Sequence, residues 1–135
     1  MPNGFHGSSD TWDRIESPLY SLDPALDAFA QEHGLSVARN ARGWPDRSIR
    51  WGNPVNRLIQ VYLESEEHLT WTLWACASED RDAERYWRHV SLRKAVPIDE
   101  IASDLPALLN EAKRTLEAWS SSDLEFATEI DTPAV

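Results

Sequence analysis

Tryptophan and arginine are the residues of this chain best equipped to grip another molecule. There are seven tryptophans, Trp12, Trp44, Trp51, Trp71, Trp74, Trp87 and Trp119, and eleven of the thirteen basic residues are arginine. A rigid indole and a planar guanidinium offer large contact area at low entropic cost, which is why they anchor protein interfaces. Groups for covalent or metal chemistry are sparser. Cys76 and His89 are the only pair that a thiolate–imidazole mechanism could use, and a single cysteine packs more readily as a small buried hydrophobe. The four histidines, His6, His33, His68 and His89, have no spacing that puts two on one face, so no metal site is expected. The acidic run Glu79-Asp80-Arg81-Asp82-Ala83-Glu84 lacks the glycine and terminal glutamate of a calcium loop and reads as a solvated loop. No serine sits in a Gly-x-Ser-x-Gly turn and no glycine pattern would cradle a phosphate, so neither catalysis nor a cofactor is expected.

These side chains must be positioned by elements that the hydrophobic periodicity outlines. Asp23-Pro24 opens a helix and Gly34 closes it, with Leu22, Leu26, Phe29 and Ala30 on one face and Asp23 expected as its cap. His33 then lies at its C-terminus, where an imidazolium suits the helix dipole. From Leu35 the period changes to two, and strands are expected over about 35–41, 47–52, 57–64, 69–77 and 85–93. Ile59, Val61 and Leu63 share one side of the third strand, while Leu58, Gln60 and Tyr62 share the other. Trp71 and Trp74 have opposite parity, so one of them points away from the core. A short turn at Ile98–Ala102 precedes a long helix that Ser103 or Asp104 starts, with Leu105, Leu108, Leu109, Ala112, Leu116 and Trp119 in one stripe.

The fold expected is a two-layer α+β domain: a helix, then a four- to five-stranded antiparallel meander, then a long C-terminal helix, both helices on one sheet face. It spans 22–119, between a poorly ordered leader over 1–21 and a flexible acidic tail over 120–135 that holds four acids and no base. In length, acidity and element order this outline is similar to small bacterial specificity modules such as secretion chaperones and toxin-immunity proteins.

Charge narrows the partners. The net charge is −10, distributed as −5 over 1–38, +4 over 39–57, −2 over 58–98 and −7 over 99–135. Nucleic acid and anionic membranes are disfavoured unless the arginines of 39–57 gather on one face. No apolar run approaches the 18 or so residues of a membrane span. Asp10, Asp13 and Glu16 do not suit a secretory signal, so a cytoplasmic location is expected. The expected function is a non-enzymatic protein-interaction module of the chaperone, inhibitor or immunity kind. It would use the helix-free sheet face, carrying Trp74, Trp87, Arg50, Arg57 and Arg88, to bind a protein partner or a second copy as a homodimer. The alternative is a small-ligand binder or enzyme whose pocket, between sheet and helices, takes Tyr62, Arg88 and His89 as its polar groups.

Overall fold

The computed structural model describes residues 9–40, 44–52, 56–78, 87–119 and 130–131. Helix α1 (Ser9–Glu16) and a 3-10 turn (Ser17–Ser21) lead into α2 (Asp23–Glu32). Residues 9–21, expected as a loose leader, are therefore helical, while 1–8 lie outside the described residues. The reason is one apolar stripe. Ile15, Leu19, Leu22 and Leu26 recur at steps of four, three and four, and all are buried. Pro18 and Pro24 divide that stripe into separate helical pieces, because proline removes a backbone donor.

Helix α2 ends as its sequence implies. Gly34 takes φ +68°, its N–H donates to the Gln31 carbonyl at 3.3 Å, and Leu35 N–H donates to the Ala30 carbonyl at 2.7 Å. This is the paired closure that a left-handed glycine allows. The start differs from expectation. Asp23 is the first helical residue and makes no capping bond, because its carboxylate accepts from Arg47 Nε at 2.8 Å instead.

Strands β1 (Val37–Arg39), β2 (Asp46–Trp51), β3 (Asn56–Ser65), β4 (Thr70–Ser78) and β5 (Trp87–Val96) form the antiparallel meander in chain order. A two-residue strand, β6 (Ile130–Asp131), runs parallel beside β5, so part of the expected flexible tail is a strand, and the tail's other residues lie outside the described ones. The acidic loop over 79–84 lies outside them too. Helix α3 (Ile98–Ala102) and helix α4 (Leu105–Ala118) complete the chain. Asp104 stands at the N-cap of α4 without a capping bond, and its carboxylate faces Arg93 at 3.4 Å.

Helix α4 packs across β3 and β4 and against α2. Its stripe Leu105, Leu108, Leu109, Ala112 and Leu116 meets Ile59, Val61, Leu63, Trp71, Leu73 and Ala75 in a single core with the α2 residues. Each fully buried leucine there contributes roughly 1.5–3 kcal/mol over an exposed one.

One charge lies inside this layer. Arg47 is 1% exposed on the helix side of β2. Besides Asp23, its Nη1 donates to Asn40 Oδ1 at 3.1 Å and to the Asp46 carbonyl at 2.9 Å, and Tyr20 lies beside it with its ring centroid 6.0 Å from the guanidinium carbon. Asn40, held at φ +52°, also donates to Glu16, which accepts from Tyr20 Oη at 2.8 Å. The cluster ties the N-terminal helices to β1 and β2.

Candidate functional site

The strand register decides which side chains reach the face opposite α2 and α4. Gln60 faces Trp74, Tyr62 faces Thr72 and Leu58 faces Cys76 between β3 and β4; Trp74 faces Ser91 and Cys76 faces His89 between β4 and β5. Side chains at directly opposed positions share a face, so these all lie on the side away from Val61, Leu73 and Ala75. Trp71, of opposite parity to Trp74, is 1% exposed in the core. The two tryptophans of β4 thus divide between the faces as their spacing requires.

Trp74 is the centre of this face. Its ring lies 5.3 Å from that of Tyr62 at 63° and 5.0 Å from that of His89 at 55°. The result is a diagonal aromatic row across β3, β4 and β5, with tilted contacts that suit ring quadrupoles. A polar chain holds the indole in place. Trp74 Nε1 donates to Gln60 Oε1 at 2.8 Å, and Gln60 Nε2 donates to Asp46 Oδ2 at 2.8 Å. Asp46 is 4% exposed, so its carboxylate is kept out of bulk water and accepts directionally. Burial, then the nearby Glu64 carboxylate, pushes the Tyr62 phenol up to about 12. Tyr62 is accordingly neutral and able to donate at physiological pH.

Arg50 has an exposed side chain on the same face, on β2 opposite Leu58 and four residues along the strand from Asp46, which stands opposite Tyr62. It also borders a shallow cleft of about 350 Å³ with Trp51, Gly52 and Asn56, at the end of the β2–β3 hairpin. Thr72 and Cys76 flank Trp74 along β4 and are buried at 0 and 2% exposure. Thr72 Oγ1 accepts from the backbone N–H of Ala95 at 3.0 Å, which ties this face to a residue held at φ +53°.

Two of the expected arginines belong elsewhere. Arg57 and Arg88 both stand opposite Ala77, one from each side, on the helix-bearing face. Arg57 Nε donates to the Leu116 carbonyl at 3.3 Å, and the Arg88 guanidinium lies 4.7 Å from the centroid of the Trp119 ring. The small Ala77 between them leaves room for both to reach the C-terminal end of α4, where a cation interacts well with the helix dipole. They hold α4 down and do not join Trp74. Trp87 pairs with Ser78 through its backbone, and its side chain lies outside the described residues.

The groups expected to line a pocket between sheet and helices do not converge. Tyr62 and His89 flank Trp74 on the face opposite α2 and α4, and Arg88 is on the helix-bearing one. The described arginines of 39–57 are divided as well: Arg39 pairs with Asp23 and Asp27, Arg47 is buried, Arg57 holds α4 and Arg50 points from the opposite side, while Arg42 lies outside the described residues. Among the described residues, no group of three or more His, Cys, Asp or Glu side chains is placed to hold a metal ion, and no helix is long and apolar enough to cross a membrane. What sequence reasoning missed was the polar chain. Gln60 and Asp46 are ordinary strand residues by type, and only the β2–β3–β4 register brings them to the indole.

Compared with family models, curated proteins and solved structures, the chain matches none of them.

Proposed function

We propose that this chain is a non-enzymatic protein-interaction module that uses the sheet face opposite α2 and α4. The observation that carries the reading is the Tyr62–Trp74–His89 row, held by the Asp46–Gln60–Trp74 hydrogen bonds, with the exposed Arg50 on the same face. An indole whose orientation is set in advance loses little entropy on binding, and a guanidinium on the same face supplies a directional contact. This is the composition of an interface hot spot. A net charge of −10 favours a protein partner over nucleic acid or an anionic membrane. A cytoplasmic setting accords with a single, buried cysteine, Cys76.

The test places a photo-crosslinking residue at Arg50 or, as a control, at the exposed Glu117 on the helix layer, in the native cells. A stoichiometric protein adduct at position 50, absent at position 117 and lost when Trp74→Ala is added, is expected. A second copy of this chain in the adduct makes the module a homodimer, and a different chain identifies the partner. Adducts of equal yield at both positions, or none at position 50, overturn the reading.

A further inference from the structure

We propose that Asn40 is a positioning residue for Trp74, acting from beside α1 through Asp46 and Gln60 without touching the indole. Asn40 follows β1 and stands opposite Asp46, one step beyond the Arg39–Arg47 pair. Its N–H donates to the Asp46 carbonyl at 3.0 Å, as an antiparallel pair requires. The reciprocal bond comes from the side chain. At φ +52° the chain turns off the strand, and Asn40 Oδ1 accepts from the Asp46 N–H at 3.3 Å in place of the backbone carbonyl. Asparagine suits this role because its short amide bonds locally in the left-handed conformation that other side chains avoid.

The amide is oriented at both ends. Nδ2 donates to the Glu16 carboxylate of α1, and Oδ1 also accepts from Arg47 Nη1 at 3.1 Å. It thereby fixes the backbone of Asp46, the first residue of β2, whose carboxylate lies on the opposite face of the sheet. There Asp46 Oδ2 accepts from Gln60 Nε2 at 2.8 Å, which turns Gln60 Oε1 towards Trp74 Nε1, also at 2.8 Å. A reversed Gln60 amide would set donor against donor at the indole and acceptor against acceptor at Asp46. The direction of every bond in the chain is therefore dictated by its neighbours. Asn40 links the N-terminal helices on one side of the sheet to the aromatic row on the other.

The experiment uses the full chain and follows hydrogen exchange of the Trp74 indole N–H by NMR, the signal being assigned by its loss in Trp74→Phe. Asn40→Gly removes the amide but tolerates the same backbone conformation, and Asn40→Asp keeps an acceptor for the Asp46 N–H. Asn40→Gly is expected to speed Trp74 exchange about fivefold, the weight of one net hydrogen bond. Trp71, in the core, is unchanged, and Asn40→Asp exchanges close to the wild-type rate. In a Gln60→Leu background, where the acceptor of the indole is already gone, Asn40→Gly adds no further acceleration. The proposal is overturned by unchanged Trp74 exchange in Asn40→Gly, by equal acceleration of Trp71, by Asn40→Asp behaving as Asn40→Gly, or by undiminished acceleration in the Gln60→Leu background. The measurement needs no partner. Its failure leaves the crosslinking result at position 50 standing, and a failure of that result leaves the positioning role of Asn40 standing.

Discussion

Replacing Asp23 by asparagine keeps the shape of the side chain and removes its charge, which isolates the ion pair inside the helix layer. Arg47 is 1% exposed and Asp23 is 13% exposed, with 2.8 Å between Nε and Oδ1. Two unit charges about 4 Å apart attract by roughly 4 kcal/mol at an effective dielectric near 20. Removing one partner of a buried pair typically costs about 3–5 kcal/mol. The loss here is smaller, because Asn40 Oδ1 and the Asp46 carbonyl still accept from Arg47 and the new amide oxygen accepts weakly. Asp23→Asn is therefore expected to lower stability by about 2–3 kcal/mol, including the roughly 0.3–1 kcal/mol from an acid in the first turn of α2. Urea unfolding followed by tryptophan fluorescence measures it as a midpoint change at constant slope. Asp27→Asn is the control. Its partner Arg39 and Asp27 itself are 48 and 55% exposed, so the loss is at most about 0.5 kcal/mol. Adding Arg47→Met to Asp23→Asn is expected to restore part of the loss, since an apolar side chain replaces the buried charge left unpaired. If Asp23→Asn falls within about 0.5 kcal/mol of the control, the pair contributes nothing measurable and the reasoning fails.

Three further outcomes follow from the same geometry. Leu109→Ala, at a fully buried position where α4 meets the sheet, is expected to cost about 3–5 kcal/mol in the same assay; a loss under about 1.5 kcal/mol would mean that α4 is not firmly packed. The Tyr62 phenol is raised from 10.0 to about 12, so folding favours its neutral form. Its contribution is whole below pH 10 and is lost as pH rises towards 12; Tyr62→Phe should lose less stability than the wild type across that window, and parallel curves would count against the shift. Ala95 sits at φ +53°, where an L-residue is strained. Ala95→Gly is expected to add about 0.5–1 kcal/mol, the relief exceeding the extra freedom of the unfolded chain, and a destabilised variant would contradict it.

Much of the fold is legible in the sequence because its signals are local. The switch from three-and-four spacing to alternation at Leu35 marks where helix gives way to strand. Gly34 closes α2 because its left-handed conformation is favourable without a side chain. The stripe from Leu105 to Trp119 marks α4. The N-terminal helices were less legible, since Pro18 and Pro24 interrupt a stripe that is continuous only when Ile15, Leu19, Leu22 and Leu26 are counted together. Capping is not legible for a related reason: Asp23 and Asp104 are good caps by type, but each faces an arginine from a distant strand, and the charged contact prevails.

The candidate site divides along the same line. Alternation alone determined that Trp71 and Trp74 lie on opposite faces and that Tyr62 shares a side with Gln60, because the two-residue period of a strand is a property of the backbone. Which face would be covered, and which arginines would remain with Trp74, depended on pairing between strands. Arg57 and Arg88 stand on either side of Ala77, and that shared register carries both to the end of α4, leaving Arg50 on the face of the aromatic row. Register is long-range information. It is set when α4 selects one apolar face of the assembled sheet, and a shift of a single residue would exchange every side chain of a strand between core and surface.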